Sequence, residues 1–529
     1  MNDLKSFLRP FFIVALLIPL AIQCTSGGRG GPRPNILIVL VDDMGYGHLG
    51  VHYEEYTAGN VNQDLLKRSA TRNDAYSLDM SLEATRSSMP TLTKLAAGGV
   101  NFLDSHSGHS LCAPSRAALL TARYPQQMGI YNNGDMNSHG VPEDVLMLPE
   151  LFQQNGYSTA MIGKWHVARY DRNRRGFAYD GQHPNDRGFD YYFGFNHSGT
   201  PYYDSEILYR NKEKAEAEGY TTDQFTREAG EFIRKNADNP FFVYLAYNCP
   251  HGPLNRYAPE EYDKLYKDLP RVLRIWNSYM FAVDEGIRRI LETLEETGDL
   301  DNTLIFFLSD NGASGSTPLP ANGYYRGHKG SLYMGGTRSG MVAWWPGVIP
   351  GGSVCDKMVS SMDVLPTCLD AAGIKIPKGL SIKGKSLLPL LRGRSSKAVH
   401  ETLVWANRNS LNWSYPGSLV KTRDVPAAWT IKNEQWVLHY FAGEKKYYLY
   451  DAVNDVGEKK NLAIENPETV EAMKKEYAAW FATVRPPVSW DKEVWLGLKP
   501  AESLSPEEAE TLDIKNRLLM EKIRRKAGK

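Results

Sequence analysis

Four stretches of this chain are nearly continuous in apolar and β-branched residues, and each breaks off at residues that can do chemistry. The run 35–41, Asn-Ile-Leu-Ile-Val-Leu-Val, stops at Asp42-Asp43. The run 303–308 stops at Ser309-Asp310-Asn311-Gly312, the run 240–247 at Asn248-Cys249-Pro250-His251, and the run 158–162 at Gly163-Lys164-Trp165-His166. A strand with one wet face alternates apolar and polar residues. A strand apolar at every position must be covered on both sides, as strands of parallel sheets are. Helical patterns at 89–98, 222–236 and 272–297 lie between the runs. This alternation predicts an α/β fold, a mostly parallel central sheet sandwiched by helices. In such sheets the site lies outside the carboxyl ends of the strands. Four strand ends rich in ionisable and amide side chains therefore predict one site assembled from distant segments.

Taken singly, each strand end has a plainer reading. An Asp-Asp pair after a strand is commonly a turn or helix cap, and Asp-Asn-Gly a tight turn. His251 among prolines fits a rigid loop, and Lys164 a solvated charge. Four unrelated turns, however, have no reason to carry matching chemistry. Asp42, Asp43, Asp310 and Asn311 offer only oxygen ligands, which suit a hard cation, Ca²⁺ or Mg²⁺, and disfavour zinc or copper. Carboxylates crowded together also repel without a cation between them.

A further singular feature is the run Leu111-Cys112-Ala113-Pro114-Ser115-Arg116-Ala117-Ala118-Leu119-Leu120-Thr121-Ala122-Arg123. Pro114 suits the first turn of a helix, and the residues that follow are good helix formers. The amino end of that helix would aim free N–H groups and a positive dipole at residue 112, favouring an anion there. An unmodified cysteine in that place is either a reactive thiolate or an inert buried thiol.

The 61 basic and 61 acidic side chains cancel, so the basic excess that nucleic acid or an anionic membrane demands is missing. Lys5 and Arg9 precede a short apolar run from 11 to 22, too short to span a bilayer comfortably, and small residues follow. This reads as an export signal over 1–24, with the periplasm, the cell surface or the medium as the destination. Cys24 is a candidate for a lipid anchor, although Gln23 stands where lipoprotein signals usually place a small residue. A Gly/Pro-rich linker over 25–33 precedes the catalytic domain, 34–399. Short strand patterns and a helix near 470–484 predict a smaller C-terminal α+β subdomain over 400–485, and a charged helical pattern fills 486–529. Cys355 and Cys368 are spaced to close a short loop, and geometry decides whether they pair.

The ordered landmarks from about Pro34 to Ala463 resemble those of the type I sulfatases of the alkaline phosphatase superfamily. They are Asn35-Ile36-Leu37 through Asp42-Asp43, Pro90 to Ala96, the Cys112 run, Gly163-Lys164-Trp165-His166, Arg187-Gly188-Phe189-Asp190 and Pro250-His251-Gly252-Pro253. Ser309 to Gly312, Lys329 to Tyr333, Met362 to Thr367, Leu449-Tyr450-Asp451 and Asn461-Leu462-Ala463 complete the series. The resemblance implies that a maturation enzyme oxidises Cys112 to Cα-formylglycine. It implies that Asp42, Asp43, Asp310 and Asn311 bind Ca²⁺ with residue 112 as a further ligand. Arg116, Lys164 and Lys329 would then hold the aldehyde hydrate and the sulfate. One hydroxyl of that hydrate would attack the sulfur of a sulfate ester, with His251 protonating the departing alcohol and His166 taking the proton of the second hydroxyl. The implied substrate is a sulfated polysaccharide or oligosaccharide such as ulvan, carrageenan or a glycosaminoglycan. A phosphoesterase or phosphonate esterase of the same superfamily, and a non-catalytic glycan-binding surface protein, are the alternatives. Two positions depart from the common pattern: Ala122 stands where glycine is frequent, and Met334 where glutamate often precedes Gly-Gly.

Between Asp43 and residue 89 lies a long polar insertion, roughly 52–88, with Tyr53, Tyr56, Arg68 and Arg72. Long ordered loops are often functional, so the expectation is a wall of the substrate pocket. A solvated excursion is the plainer reading. Trp344-Trp345 is read as core ahead of a sugar contact.

Overall fold

The computed structural model describes residues 33–49, 55–71, 73–169, 173–409, 426–441 and 446–485. The export signal, Cys24, Tyr53, Arg72 and the tail from 486 lie outside these residues.

The strands are β1 (Asn35–Val41), β2 (Val100–Phe102), β3 (Ser105–His106), β4 (Ser158–Lys164), β5 (Tyr191–Phe195), β6 (Tyr209–Arg210), β7 (Glu213–Lys214), β8 (Phe241–Ala246), β9 (Thr303–Ser309), β10 (Met341–Trp344), β11 (Ser353–Cys355), β12 (Val359–Ser360), β13 (Leu403–Asn409), β14 (Pro426–Lys432), β15 (Trp436–Phe441) and β16 (Lys446–Asp451). Ten form one sheet in the order β11-β2-β10-β9-β1-β8-β4-β5-β6-β7. The four runs singled out from the sequence are its adjacent centre, β9-β1-β8-β4, and all pair in parallel. Their carboxyl ends therefore share one edge. β10, β6 and β7 join antiparallel on either side.

The pleat of β1 shows why the run is apolar throughout. Ile36, Ile38 and Leu40 face one core cluster, with Ala113, Ala117, Leu120 and Leu365. Leu37, Val39 and Val41 face the other, with Phe225, Ile233, Trp276 and Ile287 from the helices Thr221–Lys235 and Arg271–Glu296. Both faces are covered, as a parallel sheet requires. Trp345 is buried in the first cluster and Trp344 packs against the second, which settles that pair as core.

The smaller antiparallel sheet β13-β14-β15-β16 and the helix Pro467–Phe481 form the C-terminal subdomain. The insertion is not a loop. It folds as helix α1 (Gln63–Thr71) and helix α2 (Leu78–Ser88), with α3 (Pro90–Gly98) following directly and α4 (Cys112–Thr121) next among the helices. Tyr56, Val61, Leu65, Tyr76 and Leu78 make a small core with Leu319 and Ala321. Cys249, Cys355 and Cys368 are all buried free thiols, so the last two do not pair.

Candidate active site

Each strand end places its side chain by simple geometry. β1 hands the chain to Asp42 and then Asp43, whose φ of 70° turns the backbone sharply. The Asp43 amide donates to Asp310 Oδ1, 3.3 Å away, at the end of β9. The Asp42 amide donates to the Cys249 carbonyl at 2.9 Å, stitching the end of β1 to the loop that carries His251. β4 runs one turn of the pleat further than the sequence suggests and ends on Lys164 itself. His166, two residues on, has φ of 53°, a conformation that side-chain-bearing residues rarely adopt. Cys112 is the first residue of α4, and the thiol is fully buried.

All ten residues singled out from the sequence converge. The Lys164 ammonium donates to Asp42 Oδ2 at 2.5 Å. Arg116 donates Nε to Asp310 Oδ2 at 3.0 Å, places Nη2 at 2.9 Å from the same oxygen and 3.7 Å from Asp42 Oδ2 as ion-pair contacts, and donates Nη1 to the Lys164 carbonyl at 2.7 Å. Lys329 Nζ lies 2.7 Å from Asp43 Oδ1, Asn311 Nδ2 donates to the same oxygen at 2.8 Å, and His251 Nε2 stands 3.8 Å from Asp43 Oδ2. Ligand atoms of Asp42, Cys112 and Asp310 lie within 4.8 Å of one another, and so do those of Asp42, Asp43 and His251.

Sequence reasoning missed two supports. Asn133 donates Nδ2 to Cys112 Sγ at 3.6 Å and accepts from the Ala113 amide at 3.3 Å. Asn407, at the end of β13, donates Nδ2 to both Ser110 Oγ and the Gly330 carbonyl, each at 3.1 Å, clasping the segments that precede Cys112 and follow Lys329. Neither has a periodic or motif signal; only an asparagine near the Cys112 helix could have been suspected.

The electrostatics follow from burial and neighbours. Burial would raise the Asp42 carboxyl, but Lys164, His251, Arg116 and Lys329 outweigh it and hold the group below the usual range. Burial and the Asp42 charge push Asp310 up, against Arg116 and Lys164. Burial, with Lys164 and Arg116, drives His166 well below its ordinary value, so its ring is neutral. Burial also lowers His251, with Lys329 acting the same way and Asp42 opposing. For Lys329, burial is outweighed by Asp43 and Cys112, and the amine is raised.

The residues fit a bound cation. Asp42 Oδ1 and Asn311 Oδ1 are buried oxygens with no hydrogen-bond partner, and orphaned buried oxygens of this kind call for an unseen ligand. Three carboxylates face three side-chain cations, so the resting charge is even. An anionic substrate would tip it negative, and a cation among the oxygens would restore the balance.

A mostly parallel sheet whose carboxyl edge gathers carboxylates, cations and a cysteine at a helix start defines an enzyme that works on an anionic ester. The family described as Sulfatase matches residues 34–374, and that described as N-sulphoglucosamine sulphohydrolase, C-terminal, matches 323–480. An uncharacterized sulfatase of Escherichia coli K12, YdeN, is 36% identical over 86% of this chain and 87% of its own length. The N-acetylgalactosamine-6-sulfatase of Homo sapiens is 32% identical over 70% of this chain and 68% of its own. Among solved structures, Ps i-CgsB in complex with k-i-k-neocarrahexaose superposes with a TM-score of 0.69 at 26% identity, covering 91% of this chain and 99% of that one. The chain belongs to the sulfatase family and is a sulfatase. Among the described residues no helix is long and apolar enough to cross a membrane.

Proposed function

We propose that the protein hydrolyses sulfate esters of a carbohydrate, with Cys112 matured to formylglycine and Ca²⁺ held by Asp42, Asp43, Asp310, Asn311 and residue 112. The observation that carries this reading is the burial of Cys112 at the start of α4 within ligand distance of Asp42 and Asp310. When bound, Ca²⁺ supplies positive charge to the sulfuryl oxygens and acidity to a neighbouring hydroxyl. The formylglycine hydrate supplies the attacking oxygen and, through its second hydroxyl, an internal way to release sulfate.

The encoded side chains do the rest. Arg116 is spent on Asp310 and Asp42, so its work is to hold those carboxylates in place. Lys164 and Lys329 bring two ammonium groups to the rim of the carboxylate cluster, where they orient the sulfate and offset the charge that builds on it. His251 is partly exposed beside Asp43, placed to pass a proton to the departing alcohol once it has taken one up. His166 is buried and neutral with both ring nitrogens free of partners, the state a proton acceptor needs.

A carbohydrate substrate is supported by the human relative, an N-acetylgalactosamine-6-sulfatase, and by the carrageenan-type oligosaccharide in the Ps i-CgsB complex. The test is mass spectrometry of the peptide containing residue 112 from a maturation-competent host, paired with desulfation of a panel of defined sulfated oligosaccharides. An aldehyde or its hydrate at 112 is expected, with activity lost in Cys112→Ala. Full activity from protein carrying only the thiol would refute the mechanism. Faster turnover of an aryl phosphate than of an aryl sulfate would favour the phosphoesterase reading.

A further inference from the structure

The side chains of α1 and α2 converge on one segment, residues 313–323, which leads from the Asp310-Asn311 pair toward Lys329. Arg68 Nη1 donates to the Gly315 carbonyl at 2.6 Å. Ser81 Oγ donates to the Leu319 carbonyl, and the Leu319 amide donates to the Tyr76 hydroxyl at 3.2 Å. The segment in turn holds the site. The Lys329 amide donates to the Ala313 carbonyl at 2.9 Å, and the Ala313 amide donates to Asn322 Oδ1 at 2.8 Å. The His328 ring lies against Gly315, 3.8 Å from where a Cβ there would sit. The Ala321 carbonyl accepts from Gly47 at 2.9 Å, close behind Asp42-Asp43.

We propose that α1 and α2 brace this segment, and that Arg68 is a positioning residue that fixes Lys329 through Gly315, His328 and Ala313. The Lys329 part of the proposal rests on the sulfatase role given above. A segment without helix or strand loses about 1–2 kcal/mol of backbone freedom per ordered residue, so it stays ordered only where something holds it. The Arg68 bond is charge-assisted, of the stronger class, and it grips the strip of chain beside His328. Displacing an amine from its working position by an ångström can cost on the order of 100-fold in rate; a loosened, still populated position costs less.

Arg68→Ala and Arg68→Lys are compared with the full-length wild type by amide hydrogen exchange. Steady-state kinetics follow on p-nitrophenyl sulfate and on a sulfated oligosaccharide, with kcat expressed per formylglycine-bearing molecule. In Arg68→Ala, exchange in peptides spanning 313–329 rises while the β1 and β8 peptides stay protected. Its kcat on the aryl ester falls about 10-fold with KM within about twofold. Arg68→Lys, which keeps a donor for the Gly315 carbonyl, recovers most of both. Unchanged exchange over 313–329 in Arg68→Ala overturns the brace. A KM increase confined to the oligosaccharide, with the aryl ester untouched, overturns it in favour of a pocket wall. Raised exchange in a protein whose wild type hydrolyses no sulfate ester leaves the brace standing and removes the catalytic role of Lys329.

Discussion

Arg116 has no exposure to solvent, and both of its carboxylate partners are equally buried. Its energetic weight lies in what its removal would leave behind. Arg116→Met keeps much of the volume but strands Asp310 and Asp42 with less compensation. Breaking a buried pair from one side costs about 3–5 kcal/mol, and a loss of that size is expected in denaturant unfolding; less than about 1 kcal/mol would mean that Lys164 alone can neutralise the cluster. Ala122 illustrates the opposite case. It closes α4 at φ 52°, where a side chain costs about 1–2 kcal/mol, which gives a physical reason for glycine at such a place. Yet its methyl is buried in the core and contributes about 0.8 kcal/mol, and glycine would add freedom to the unfolded chain worth about 0.4–1 kcal/mol. The opposing effects nearly cancel. Ala122→Gly is therefore expected to shift stability by under about 1 kcal/mol, measured by thermal or chemical unfolding.

The elements show what a sequence can and cannot carry. The four central strands were legible because each is apolar on both faces, a pattern that solvent-facing elements do not produce. The helices α1 and α2 were not, because the buried face of α2 is made largely of Ser81, Ala84, Thr85 and Ser88, residues whose polarity masks the helical period. The link between the two sheets was equally hidden. Asp104, between β2 and β3, pairs with Arg338 and, at 3.0 Å, with Lys432 of β14, and it accepts from His106 at 2.7 Å. Burial raises its carboxyl, but Arg338, Lys432 and His106 together hold it well below the usual range. The folded state thus binds the proton less tightly than the unfolded chain. The stabilisation is present above the unfolded carboxyl's pKa, about 4, and is lost as pH falls below it. Asp104→Asn should lower stability at pH 7 by about 3–5 kcal/mol, and the gap to wild type should narrow in strongly acid solution. A pH-independent gap would show that the loss is one of shape and not of charge.

At the scale of the molecule, the site belongs to no single segment. Strand ends from positions 42 to 310, a helix start at 112, Lys329 and the C-terminal Asn407 meet in one place. The donors at the strand ends were readable because a parallel sheet must deliver its carboxyl ends together; Asn133 and Asn407 were not, since their partners are fixed only by the completed packing. An assembly of this kind makes ligand binding a property of the folded state alone, because the unfolded chain scatters the four oxygen donors across the sequence. A ligand that binds only the folded state stabilises it by RT ln(1 + [L]/Kd), about 2.7 kcal/mol at a hundredfold excess over Kd. With an unfolding entropy of about 2 cal/mol/K per residue, that corresponds to roughly 3 °C in melting temperature for a chain of this length. Adding Ca²⁺ to chelator-treated protein is therefore expected to raise the melting point by a few degrees, with Mg²⁺ giving less, because Mg²⁺ demands a tighter octahedron than a mixed carboxylate and amide set provides. Asp310→Asn replaces a charged oxygen donor by a neutral one and should sharply weaken the response, starting from a melting point already lowered by the broken Arg116 pair. Since this readout requires neither substrate nor formylglycine, an equal melting point with and without Ca²⁺ in the wild type would count against the carboxylate cluster as a cation site, whatever the enzyme's activity.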